Sequence, residues 1–381
     1  MSAFVPGPRR VAIVHDWFVG ATGGEKCVES FLNLWPDADV FTLVDYLNDS
    51  DRKHVLHGKQ CRTSFIQRLP FSRTRYRNYL PLFPMAVESL DLAGYDLVIS
   101  SSSSVAKSVL THADQVHICY CHTPMRYAWD LYHQYMTESG LDRKWSGIVA
   151  RMCLHYIRIW DRGTANRVDH FVANSNYVGR RIQKTYGRSS RVINPPVDVS
   201  RIPVSHDRED YYVTVSRMVP YKKVDLIVQA FSASGRRLKV IGAGPDLAKV
   251  RQLAGPSVEI LGYQEQDAMY RAVGNARAFL FAADEDFGIS PLEANACGTP
   301  VIFFGKGGLL ETIPQPACGI SFPEQSVASL NEAVDRFERL PAFDPATLRR
   351  NAERFSRERF EREFAAFAAA ALAESSMPQD D

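Results

Sequence analysis

The unbroken apolar run Ala278-Phe279-Leu280-Phe281-Ala282 is followed by Glu-Asp-Phe-Gly-Ile-Ser-Pro-Leu-Glu, residues 285 to 293. A short run with apolar side chains in every position predicts a strand buried on both faces, as in a parallel sheet covered by helices. Pro291 suits the first turn of a helix, where no backbone N–H is missed. The unit is therefore strand, loop, helix, with loop and helix-start N–H groups pointing out of the sheet's carboxyl edge. Such an edge binds phosphates. Two carboxylates, Glu285 and Glu293, bracket the Phe287-Gly288-Ile289 turn, although taken alone they also fit an acidic loop capping an ordinary helix.

At 381 residues the chain has room for about two domains. A hydrophobic content of 45% with 23% charged residues is that of a globular protein with ample core material. The net charge of +2 argues against a nucleic-acid partner. Seven cysteines, an odd number without zinc-like spacing, predict reduced thiols in a cytosolic protein. Cys119 and Cys121 flank Tyr120 and read as alternating positions of a buried strand, not as metal ligands. Residues 1 to 10 lack the pattern of a signal peptide. No stretch reaches the ~18 apolar residues of a membrane span, so a membrane would be met from its cytoplasmic surface.

Further strands are expected at Val11–Val14, Val40–Val44, Tyr95–Ser100, Gln115–Cys121, Val168–Ala173, Tyr211–Ser216, Leu238–Ile241, Val258–Tyr263 and Pro300–Phe304. Between the first of these and a helix running to Leu34 lies a glycine loop containing Gly23-Gly24-Glu25. It lacks the G-x-G-x-x-G spacing of a dinucleotide site. The serines 100 to 104 read as a tight turn. His122, two residues before Pro124, is presented at the end of a strand. Arg62, Arg68, Arg73, Arg75 and Arg77, interleaved with Phe65, Phe71 and Tyr76 and with no acid among them, fit an anionic bilayer, an acceptor groove or a solvated loop. Arg191-Val-Ile-Asn-Pro-Pro-Val197 predicts an irregular interdomain linker. Arg217 and Lys222 stand on a strand-to-helix loop, as a phosphate clamp should. Residues 346 to 373 look helical.

The paired glutamates, with Ala-Asn-Ala-Cys-Gly-Thr-Pro-Val behind them, resemble the signature of the family-4 retaining glycosyltransferases. Gly23-Gly24, His122-x-Pro, Arg217-x4-Lys222 and Gly307-Gly308 occur in that family's order, and the histidine stretch is similar to that of bacterial polysaccharide mannosyltransferases. The resemblance implies an α/β protein of GT-B fold, two Rossmann-like parallel-sheet domains facing a cleft. The domains would be 1–195 on the acceptor side and 196–350 binding the nucleotide sugar, with a helix in 351–381 crossing back to the first.

It also implies roles. Arg217 and Lys222, with Lys223 able to share, would neutralise the donor diphosphate. Gly23 and Gly24 would lie between donor and acceptor, Tyr263 by the nucleobase, and Glu293 on the ribose. Glu285 and the turn Phe287, Gly288, Ile289 and Ser290 would grip the sugar, and His122 would reach its far hydroxyls from the other domain. The family departs from this chain at Ser216 and Lys223, where it usually has glycine. The implied reaction is transfer of a hexose, best read as mannose from GDP-mannose, to a lipid-linked or oligosaccharide acceptor, without a cofactor or metal. A UDP-hexose donor is the near rival. A GT-B epimerase or phosphorylase and a non-enzymatic scaffold are further alternatives. A nicotinamide oxidoreductase would need the missing glycine fingerprint.

Overall fold

The computed structural model describes residues 10–20, 23–138, 140 and 146–375. Residues 1–9, Ala21 and Thr22 of the glycine loop, Ser139, residues 141–145 and the end of the chain beyond Ser375 lie outside the described residues. The chain divides into two compact units, residues up to Pro196 with those from Glu358, and Val197–Arg357.

In the first unit seven parallel strands, β1 (Val11–His15), β2 (Asp39–Thr42), β3 (Arg62–Thr63), β4 (Leu97–Ser102), β5 (Val116–Cys121), β6 (His170–Ala173) and β7 (Arg191–Val192), lie in the order 3-2-1-4-5-6-7. Val11 to Val14 are all buried, as an internal parallel strand requires. Ile13 faces Val40 on one side and Ile99 on the other. In the second unit six parallel strands, β8 (Tyr212–Val215), β9 (Leu238–Ile241), β10 (Val258–Gly262), β11 (Phe279–Phe281), β12 (Val301–Phe304) and β13 (Gly319–Phe322), lie in the order 10-9-8-11-12-13. Strand order reverses between β1 and β4 in one sheet and between β8 and β11 in the other. Open parallel sheets bind ligands beyond the carboxyl ends of their strands at these reversals.

Three expectations need correction. Ser100, Ser101 and Ser102 do not turn; they complete β4, because parallel pairing with β5 continues to Cys121. The supposed linker begins as a strand, Arg191 and Val192 pairing with Val172 and Ala173 before the prolines end the ladder. The helical run at the C-terminus is two helices, Pro345–Glu353 and Arg357–Ser375. Phe355 between them is buried and packs edge-on against Phe287 at 5.5 Å, which ties residues 351–357 to the second unit. Only the later helix joins the first unit, where Phe360 and Phe364 are fully buried beside Phe31 and Tyr120.

Candidate active site

At the reversal of the first sheet, β1 ends in His15 and β5 hands over to His122. The Ser101 hydroxyl, from the strand between them, lies 3.1 Å from His15 Nδ1 and 2.8 Å from His122 Nε2. A hydroxyl carries one proton and two lone pairs, so at most one imidazole accepts from Ser101 and at least one donates to it. His15 Nε2 is 3.9 Å from the buried Glu25 carboxylate on the helix Gly23–Leu34. Gly24 lies so close that a methyl group there would touch both rings at 3.6 Å. Beside this cluster the buried Asp16 carboxylate accepts from the N–H groups of Ser103, Val105 and Ala106 at 2.6, 2.7 and 2.7 Å and closes the loop after β4.

Sequence reasoning found His122, Gly23 and Gly24 here but missed His15, Ser101, Glu25 and Asp16. The available signal was the residue type: hydroxyl and titratable side chains ending apolar strands have no packing reason to be there.

Burial, and secondarily the neighbouring His15, pulls His122 down to about 3, and burial pulls His117 on β5 down to about 4. His117 is held by Ser100 at 2.8 Å and by the Arg167 carbonyl at 3.0 Å. Both rings are therefore neutral near pH 7, whereas the unfolded chain protonates them below about 6.5. Between that value and the folded ones the unfolded state binds more protons, so stability falls as pH falls. Urea unfolding between pH 7 and 5 is expected to lose up to about 1.4 kcal/mol per pH unit for each ring. A midpoint that stays flat over that window would contradict the neutral assignment.

At the reversal of the second sheet, the loop after β8 ends in a single 3-10 turn, Pro220–Lys222. Lys222 Nζ forms an ion pair with Glu285 Oε2, and both side chains are mostly buried. The ammonium also sits 5.3 Å from the ring centres of Tyr221 and Phe281. Arg217 is exposed on the same loop and has no ion pair among the described residues. Lys223 adopts the left-handed conformation, φ 54°, and starts the helix Val224–Ser234. That backbone favours glycine, which accounts for the residue usual in the family here.

Glu285 is held from below by the glycine loop after β12, with Gly308 N–H donating to its carbonyl at 2.8 Å. A Cβ on Gly308 would lie 2.2 Å from the Asp286 carbonyl oxygen, so only glycine permits this approach. Gly288, φ 91°, begins the helix Ile289–Ala296, which carries Ile289, Ser290 and Glu293, all partly exposed. Phe287 does not offer its ring to a ligand: it is 3% exposed and packs in the core against Phe355, leaving only its backbone for recognition. Tyr263 is 74% exposed after the bend at Gly262. Gly242 and Gly244, after β9, serve close packing of the chain on itself. Their missing side chains admit the backbone of Ser216 and Met218, whose N–H groups bond to Ile241 and Ala243 carbonyls at 3.1 and 2.9 Å.

Two parallel-sheet units, each with polar residues gathered at its strand-order reversal, define the GT-B class. The solved structure of HepE from Anabaena in complex with UDP superposes with a TM-score of 0.65 at 14% identity, over 95% of this chain and 100% of that one. Two family models match, "Glycosyltransferase Family 4" over residues 21–201 and "Glycosyl transferases group 1" over residues 199–359. The chain belongs to glycosyltransferase family 4.

Among curated relatives it is 29% identical to a GDP-mannose-dependent alpha-(1-6)-phosphatidylinositol monomannoside mannosyltransferase of Mycolicibacterium smegmatis, over 51% of this chain and 58% of that protein. It is 25% identical to glycogen synthase of Xanthomonas oryzae pv. oryzae, over 52% of this chain and 39% of that protein. The matches thus span roughly half of those relatives or less.

Proposed function

We propose that this protein transfers a hexose from a nucleotide diphosphate sugar to a lipid-linked or oligosaccharide acceptor, with retention at the anomeric carbon, and that the donor is GDP-mannose. The observation that carries the reading is the ion pair of Lys222 with Glu285 at the reversal of the second sheet. Breaking the bond at the anomeric carbon puts negative charge on the diphosphate and positive charge on the sugar. A cation already held on that edge, with Arg217 beside it and the start of the helix Ile289–Ala296 adding its positive end, suits the departing phosphates. Glu285 suits the sugar and Glu293 the ribose.

Two cations on one loop, Lys222 held and Arg217 exposed, make a divalent metal unnecessary in this reading. The acceptor hydroxyl would attack from the side of the leaving group and pass its proton to a phosphate oxygen, so no protein base is required. His122, kept neutral, would bind sugar hydroxyls without repelling a cation-like transition state.

The name of the mycobacterial relative supports GDP-mannose. UDP in the HepE complex favours a second reading, the same transfer from a UDP-hexose such as UDP-glucose. A lipid-linked acceptor would be met at the cytoplasmic face of a membrane, where the basic segment 62–77 would contact lipid or acceptor.

Thermal unfolding with GDP, UDP, ADP and their sugars, with and without a chelator, tests the reading. A bound nucleotide at 100 times its Kd stabilises by ~2.7 kcal/mol. Selective stabilisation by GDP and GDP-mannose, indifferent to chelator, is the expected result. A response to UDP compounds alone moves the donor, and no response to any nucleotide sinks the reading.

A further inference from the structure

Among the described residues, nothing covers an apolar face of the helix Ser146–Thr164. Val149, Met152 and Ile159 are 68%, 69% and 62% exposed, and Ile148 and Tyr156 are exposed with them. At 100° per residue these five fall in a sector about 100° wide. Gly147, Leu154, Ile157, Asp161 and Thr164 form the opposite, buried side. Along one border of the apolar sector run Arg151, His155 and Arg162, all exposed. The helix's one acid among the described residues, Asp161, is buried against Lys107 at 2.8 Å, so the outer face carries only positive charge.

The basic segment lies on the outside of the same apolar cluster. Ile66, Tyr76 and Phe83 share that cluster with Leu154 and Ile157, and Trp160 Nε1 donates to Glu88 Oε1 at 3.0 Å. Within that segment Arg68, Arg73, Arg75 and Arg77 are exposed, as is Phe71 at 75%. No Asp or Glu occurs between residues 52 and 87.

We propose that the helix Ser146–Thr164 docks the protein on the surface of an anionic phospholipid bilayer, its apolar sector entering the headgroup boundary and the arginines of both segments reaching the lipid phosphates. Such a helix lies in the interface without spanning it, and no helix among the described residues is long and apolar enough to cross a membrane. Long arginine side chains extend from apolar surface toward charge. A second copy of the chain is the poorer occupant, since a two-fold contact would set the same cations against each other. The docking stands on this face alone, whereas its link to a lipid-linked acceptor rests on the function proposed above.

The test is flotation of the full chain with vesicles of phosphatidylcholine, or of phosphatidylcholine with about 30% phosphatidylglycerol, near physiological salt. The protein is expected to float with the anionic vesicles and at least about tenfold less with the neutral ones. The triple variant V149E, M152E and I159E, three exposed positions, is expected to keep its unfolding temperature and nucleotide response and to lose at least about tenfold in vesicle binding. Absence of binding to anionic vesicles, unchanged binding by the triple variant, or a dimer that the triple variant abolishes would each overturn the proposal. Vesicle binding in a protein that answers to no nucleotide would uphold the docking and leave the proposed activity as the failed part.

Discussion

Lys222→Ala is expected to lower kcat/KM for sugar transfer by ~10²–10³-fold, the usual loss when one preorganised charge opposite a developing anion is removed. The side chain is placed by the turn Pro220–Lys222 and by the rings of Tyr221 and Phe281, and its ammonium pairs with Glu285. A diphosphate would take over that ammonium, and Glu285 would be released to the sugar. Because both side chains are mostly buried, Lys222→Ala leaves the Glu285 carboxylate without its ion-pair partner and should cost about 1–3 kcal/mol of stability. The variant should therefore unfold several degrees below the parent, and below that transition the folded protein should no longer respond to the donor nucleotide. Steady-state kinetics with nucleotide release as the readout separates these effects. Activity within threefold of the parent would mean that Arg217 and Lys223 suffice, and the role given to Lys222 would be wrong.

The largest stability loss is expected from Phe364→Ala, about 3–5 kcal/mol. Phe364 is fully buried, with its ring centre 4.5 Å from Phe31, 6.1 Å from Trp35 and 6.3 Å from Tyr120. No side chain in that cluster can swing in to refill the space without leaving its own contacts. Tyr120 in turn stands edge-on to His122 at 5.1 Å, so loosening the aromatic cluster also loosens the histidine. Urea unfolding followed by a probe in the first unit checks the value. A loss under 1 kcal/mol would show that the last helix only decorates the first unit and does not complete its core.

Local pattern carried much of this molecule. Apolar runs such as Val11–Val14 and Ala278–Ala282 can be buried only on both faces, so parallel strands at those places follow from composition and length. The residues that resemble the family, among them Lys222, Glu285 and Glu293, stand out in the sequence because they fall on the loops and the helix start that follow apolar strands.

The misreadings share one cause. Ser100 to Ser102 looked like turn chemistry because serine has weak strand preference, and it took pairing with β5 to hold them extended. Phe287 looked like part of a sugar pocket, yet its ring belongs to a core completed by Phe355.

The order of the strands lies in the same category. Periodicity says that a strand exists but not which neighbour it takes, and the reversals beside β1 and β8 arise from contacts between segments far apart in the chain. The sequence by itself determined the parallel α/β class, the residues available for phosphate chemistry and the family. Tertiary structure alone decided that Ser101 joins His15 to His122, that Lys222 meets Glu285, and that the helix Ser146–Thr164 keeps an apolar face outside. The first two are meetings of side chains at long sequence separation, and the third follows from which side of the helix the rest of the unit packs against; local spacing records none of these.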